Sequence, residues 1–261
     1  MLMVVSPAKT LDFDVPAYGG QCTQPEFLDD SESLVRTMRR KSAPQLMSLM
    51  QISPDLAKLN RDRFRDWQRP FSEENAKAAV FVFRGDVYQG LGAERFKRRD
   101  LEFAQDRLRI LSGLYGVLRP LDWMQAYRLE MGSRLGTRRG RDLYAFWGDR
   151  ISLALKNALP NARDPVLINL ASNEYFRAVR PDVLQCRVVT PVFQEESSGR
   201  LRVLGMFAKR ARGLMARFAI TNRLRDPEGL KEFCDAGYRY QPDLSTESRW
   251  LFTRPQPPRL T

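Results

Sequence analysis

Leu108-Arg-Ile-Leu-Ser-Gly113-Leu-Tyr-Gly116-Val-Leu-Arg119-Pro120-Leu-Asp122 is the stretch on which the reading of this chain turns. From Asp100 onward, Leu101, Ala104, Leu108 and Leu111 fall on one stripe at helical spacing, so a helix is expected over 100–111. Gly113 and Gly116 would then end that helix in a tight turn, because glycine accepts backbone angles that other residues avoid. A plain C-cap glycine and turn would leave the same spacing.

Working outward, Met1–Val5 is a short apolar run closed by Ser6-Pro7, the pattern of a buried strand. Ala79–Phe83 and Val166–Leu170 repeat the pattern; Arg84–Gly90 follows the first as a glycine-bracketed strand-end loop, and Ala171–Tyr175 follows the second as a helix-entry sequence. Helical spacing covers 26–40, 44–50 and, from the Ser53-Pro54 start, a segment through Phe64. Ser72 before Glu73 and Glu74 marks another start, and 142–159 and 208–223 are also expected to be helical. Arg187–Phe193 and Leu201–Phe207 read as a hairpin around Ser197-Ser198-Gly199. Short buried strands alternating with helices predict an α/β mixed (α+β) fold, one body whose mixed sheet is covered by helices. That single domain would span 1–253, with 254–261 a loose Pro-rich tail.

A chain of 261 residues buries enough surface to fold without a disulfide or metal staple. Forty-three Lys and Arg oppose thirty-one Asp and Glu, a net charge of +12, and Arg outnumbers Lys. Such a surplus attracts polyanions, and guanidinium groups suit bidentate phosphate contacts. Cys22, Cys186 and Cys234 are odd in number and widely spaced, the pattern of reduced thiols in a reducing compartment. The chain has no histidine, which removes Ser-His-Asp, Cys-His and H-E-x-x-H chemistry together. Acid–base work would fall to carboxylates, Lys, Tyr or a bound ion. No apolar stretch approaches bilayer length and no leader pattern is visible, so a cytoplasmic protein is expected, with no membrane partner.

Two constellations could carry function. The glycine turn resembles the helix-hairpin-helix element of DNA-binding proteins, where backbone N–H groups reach a phosphate without side-chain interference. There the usual spacing is one residue between glycines; here Leu114 and Tyr115 intervene. Nucleic-acid-binding candidates are therefore Arg109, Ser112, Gly113, Leu114, Tyr115, Gly116, Arg119 and Arg128, with Lys9, Lys209, Arg210 and Arg212 on other loops. Basic clusters at 95–99 and 134–141 bracket the turn. The second constellation is the set of polar strand-end loops, where open α/β sheets bind ligands. Lys9 beside Ser6 and Thr10 could clamp a phosphate, and Lys9, Asp86, Glu174 and Lys209 are the catalytic candidates, with Glu130 a further carboxylate. Each such carboxylate alone is as well explained by a helix cap or an ion pair. Whether any reaction is catalysed stays open. No metal-ligand cluster is evident, and neither metal nor cofactor is expected.

Six segments carry a further resemblance: Ser6-Pro-Ala-Lys-Thr10, Phe83-Arg-Gly-Asp-Val-Tyr88, Leu111–Asp122, Tyr127-Arg-Leu-Glu-Met131, Asn169-Leu-Ala-Ser172 and Ala208-Lys-Arg-Ala-Arg-Gly213. In this order and spacing the chain resembles the YaaA family over essentially its whole length. The resemblance implies a bacterial cytoplasmic protein of the peroxide-stress response, linked to low free iron and protection from oxidative damage. It also implies a single mixed α/β body with a positively charged cleft and a helix-hairpin-helix element, binding duplex or branched DNA; a monomer is expected. An enzyme acting on a nucleotide, nucleic acid or other anionic substrate in a strand-end pocket is the competing expectation.

Overall fold

The computed structural model describes residues 1–257. Strands β1 (Leu2–Val5) and β2 (Thr10–Leu11) open the chain, and helices α1 (Leu28–Arg39), α2 (Ala43–Met50) and α3 (Pro54–Asp66) follow. The middle is built of short pieces: β3 (Lys77–Ala78), α4 (Ala79–Val82), β4 (Phe83–Arg84), α5 (Asp86–Leu91), α6 (Arg98–Arg107), β5 (Leu108–Ser112), β6 (Gly116–Leu118) and β7 (Trp123–Met124). Then come α7 (Leu143–Trp147), α8 (Arg150–Ala158), β8 (Val166–Leu170), α9 (Asn173–Phe176) and α10 (Pro181–Leu184). The chain closes with β9 (Arg187–Ser197), β10 (Arg200–Arg202), α11 (Gly205–Thr221), β11 (Arg239–Tyr240) and β12 (Arg249–Pro255).

The main sheet has eight strands in the order β11-β12-β9-β8-β1-β5-β6, with β10 paired to β9. Its centre, β12, β9, β8, β1 and β5, is parallel throughout; β6, β10 and β11 are antiparallel additions. Every residue of β1 and β8 is buried, as expected for parallel strands covered on both faces. The mixed sheet covered by helices is thus the observed architecture. The β9–β10 hairpin turns at Ser198 and Gly199, both at positive φ, the backbone that matches strand twist in a two-residue loop.

Helix starts follow local chemistry closely. Ser42 and Gln45 cap one another's backbone at the start of α2, and the Ser53 hydroxyl accepts from Leu56 N at the start of α3. Between these helices Gln51 sits at φ 50°, so α2 and α3 form a tight αα-hairpin whose turn, Gln51 to Pro54, is largely exposed. Helix α11 crosses α5 at Gly90 and Gly213, where a side chain at either position would strike the other helix's backbone.

Several expectations are corrected. Ala79–Val82 is a short helical turn, and of the expected strand only Phe83 is extended, in β4 opposite Leu11; Ala79 N and Val80 N bond to the Asp122 and Pro120 carbonyls. A short buried apolar run has no periodicity to tell the two apart. Ser72 caps only a turn, taking Asn75 Oδ1 on its backbone N–H. Asp86–Leu91 is helical where a loop was expected. The segment 142–159 breaks at Gly148 (φ 51°) into α7 and α8. Beyond β10 the second hairpin arm stops early, because α11 begins at Gly205. The tail does not start at Arg254: Arg254 and Pro255 pair with Glu195 and Glu196 of β9, and Arg254 binds the buried Glu195 carboxylate at 3.3 Å. The rest of the expected tail is described only through Pro257; 258–261 lie outside the described residues.

Candidate functional site at the strand ends

The decisive stretch is a β-hairpin, not a helix–turn–helix. Helix α6 ends at Arg107, and Leu108–Ser112 lies parallel to β1, with Met3 opposite Leu108 and Val5 opposite Ile110. The strand then folds back on β6. Pairing with β1 overrides the helical stripe that Leu108 and Leu111 had suggested.

Its turn is sealed. Ser112, Leu114 and Tyr115 are fully buried. Gly113 O accepts from Trp147 Nε1 at 3.0 Å. A Cβ on Gly113 would collide with the Leu129 carbonyl, and one on Gly116 (φ 68°) would lie 2.8 Å from the Trp147 ring. The two glycines therefore admit an indole and a neighbouring backbone, not a phosphate. Arg109 is turned onto the Gln105 and Leu108 carbonyls, and burial, then Arg119, holds its guanidinium below the usual range. Arg119 is committed to Asp122, through its backbone N–H at 2.7 Å and its Nε at 3.0 Å, and to the Gln24 carbonyl. These positions do not make an exposed phosphate grip.

The same strands end in a different kind of place. β1, β5 and β8 run parallel, so Ser6, Ser112 and Ala171-Ser172 come to one edge of the sheet. Ser6 Oγ accepts from Ser172 N at 2.8 Å and lies 3.3 Å from Ser172 Oγ. Tyr88 OH donates to the Ser6 carbonyl at 3.1 Å, and Tyr127 OH meets Ser112 Oγ at 2.7 Å. Tyr88 and Tyr175 have phenols pushed well up, first by burial and then by Tyr127, which puts the three hydroxyls in electrostatic reach of each other. Glu130 bridges two cations: Oε2 lies 3.1 Å from Lys9 Nζ and Oε1 3.1 Å from Arg128 Nη2. Glu174 Oε1 accepts from Gly132 N at 2.9 Å.

Lys9, Glu130, Arg128 and Glu174 are therefore gathered round residues 128–132. Asp86 begins α5 one residue after Gly85, which packs on Ala8. Lys209 and Arg210 are exposed on α11 and make no ion pair among the described residues. Arg212 is half-buried, and burial lowers its pKa, so it does not face outward freely. Sequence reading missed Arg63, Tyr88 and Tyr175. Arg63 lies among five other charged residues at 58–66, with nothing local to single it out.

Arg63 adjoins a cleft of about 300 Å³ also lined by Phe13, Asp66, Trp67, Gln125 and neighbours. The Gln125 side-chain amide clasps the Gln68 backbone, accepting from its N–H at 3.0 Å and donating to its carbonyl at 2.8 Å. Trp67 Nε1 donates to Tyr115 OH at 3.1 Å, and Arg39 binds the Phe64 and Trp67 carbonyls at the end of α3. Both walls are thereby fixed before any ligand arrives.

Residues 1–244 match the family model described as peroxide stress protein YaaA. The chain belongs to this family. Among similar members, a UPF0246 protein of Ralstonia nicotianae is 53% identical over 254 residues, 97% of this chain and 99% of the relative. A UPF0246 protein of Cellvibrio japonicus is 51% identical over 257 residues, 98% of this chain and 100% of its own. The family's name supports a role in peroxide stress. Among the described residues no helix is long and apolar enough to cross a membrane, and no three Cys, Asp or Glu side chains gather as a metal site.

Proposed function

We infer that this protein is a cytoplasmic, monomeric DNA-binding member of the peroxide-stress response, gripping duplex or branched DNA by its backbone with little sequence preference. The observation that carries this reading is the αα-hairpin α2–α3. It sets an exposed turn at the N-terminus of a 13-residue helix with Lys58 one turn in, while Arg40 and Lys41 lie at the opposite end of α2; none of these three cations has an ion pair among the described residues. Helix N-termini offer unpaired N–H groups to phosphates, and exposed lysines add the salt-dependent term. The net charge of +12 and the unpaired Arg134 and Arg138 in the Gly-rich loop favour the same reading. Coating DNA in this way would shield it from oxidants. The lowering of free iron belongs to the proposal as a downstream effect and not as storage in a metal site.

The test is a salt titration of binding to single-stranded, duplex and four-way-junction DNA, for the parent and for the double variant Lys41→Glu, Lys58→Glu. The expected result is affinity that falls steeply with salt, and a loss of roughly tenfold or more in the variant with its log-salt slope reduced by about two. Binding indifferent to both salt and these charges would overturn the reading.

A further inference from the structure

Burial alternates along residues 127–131, so Tyr127, Leu129 and Met131 pack inward while Arg128 and Glu130 share the more open side. Lys9, from the loop after β1, reaches them there. Glu130 gives one oxygen to each cation, Oε2 to Lys9 Nζ and Oε1 to Arg128 Nη2, both at 3.1 Å. Two positive charges thus rest on one carboxylate. The bridge is also unfinished in hydrogen bonds. Among the described residues Arg128 spends only Nη2 on a partner, and its Nε is buried with no acceptor. Tyr175, 9% exposed, makes no side-chain hydrogen bond among the described residues. It follows Glu174, whose carboxylate takes Gly132 N two residues beyond Glu130. An unmet buried N–H costs free energy, and an arginine fork is completed by two oxygens, not one.

The form of the bridge says what would complete it. The Glu130 carboxylate spans Lys9 and Arg128 with two oxygens, as two oxygens of a phosphate would. It carries one negative charge, where a phosphate monoester carries nearly two. We propose that the strand ends bind a phosphate dianion, free or as the terminal group of a small monoester, which displaces Glu130 and is held between Lys9 and Arg128. Glu130 is then an internal competitor that fills the place at rest. Lys9 is 63% exposed and meets the incoming anion, whereas Arg128 and Glu130, 16% and 21% exposed, are recessed. That recess favours a small ligand over the internal phosphodiesters of a duplex, each of which carries a single charge on a broad backbone. The site is separate from the α2–α3 hairpin, and the proposal does not rest on the DNA-binding reading.

The probes are inorganic phosphate, methyl phosphate and dimethyl phosphate, at fixed ionic strength and about pH 8, where the first two are dianions. Calorimetry and thermal unfolding are run on the full chain and on the variants Glu130→Gln, Lys9→Ala and Arg128→Gln. At least one of the two dianions is expected to bind the parent and raise its Tm, and dimethyl phosphate to do neither. Glu130→Gln is expected to bind the dianion roughly tenfold more tightly, since the competitor has lost its charge. A carboxylate that served only the structure, or that itself held a ligand, would leave the affinity unchanged or lower it. Lys9→Ala, at an exposed position, is expected to stay folded and to lose roughly tenfold or more in affinity. Arg128→Gln is expected to lose at least as much; should it unfold, the Lys9→Ala result decides. Inorganic phosphate bound more tightly than methyl phosphate assigns the site to the free ion, and the reverse order assigns it to a monoester. No binding by either dianion, dimethyl phosphate bound as well as methyl phosphate, Glu130→Gln without a gain, or Lys9→Ala without a loss would overturn the proposal.

Discussion

Two turns in this molecule come out opposite. Gly113–Gly116 has glycines, a flanking arginine and apolar runs on both sides, and it is sealed under Trp147 and Leu129. Gln51–Ser53 has no glycine at all, yet it joins two helices, holds Gln51 at φ 50° and stands largely in solvent. The difference teaches that glycine in a turn reports close approach of something, and the something is as often protein as ligand. Exposure, which no local pattern carries, decides between them.

The contrast can be broken most forcefully at Gly116. Gly116→Val places a β-branched side chain at φ 68° and drives it into an indole ring, so a loss of about 3 kcal/mol is expected. Denaturant unfolding measures it, and the protein that remains folded should bind DNA as before. A stable variant with weakened DNA binding would reverse the roles of the two turns.

Arg119→Ala comes next. It takes the ion-pair partner from Asp122, whose side chain is 2% exposed and keeps only bonds from Thr23 Oγ1 and the residue-119 backbone N–H, and it removes a tie to the Gln24 carbonyl. About 2 kcal/mol should be lost. The affinity for duplex DNA should not change, because this guanidinium is already engaged by Asp122 and the Gln24 carbonyl.

Gln51→Gly should do the reverse of Gly116→Val. It removes the left-handed penalty of a non-glycine residue, partly offset by a more flexible unfolded chain, for a gain of about 0.5 kcal/mol. Chemical denaturation of the pair of variants side by side would show opposite signs if the assignment of the two turns is right.

The smallest effect is a rate. Cys22 lies near the base of the sealed turn, and burial, then Glu73 and Asp122, pushes its thiol up to about 11. Its thiolate fraction at neutral pH is on the order of one in ten thousand, so alkylation should be slow and should climb as pH approaches 11. Exposed Cys234 should be labelled first, as followed by mass spectrometry of timed aliquots. Rapid labelling of Cys22 at neutral pH would mean that this part of the molecule opens.

The sequence by itself determined the elements whose signals are local. The α2 and α3 starts follow from Ser42 and from Ser53-Pro54, β1 and β8 from apolar runs cut off by polar residues, and the β9–β10 turn from Ser198-Gly199. It also brought Lys9, Arg128, Glu130 and Glu174 forward as chemically equipped residues. Only the tertiary structure decided that Leu108–Ser112 is a strand, because that choice rests on hydrogen bonds to β1, more than a hundred residues earlier. Only it brought Lys9 to Glu130 across 121 residues of chain, and only it closed the glycine turn and opened the glutamine one. The physical reason is common to all three. Burial and charge proximity depend on which segments pack together, and that packing is not written in the spacing of any one of them.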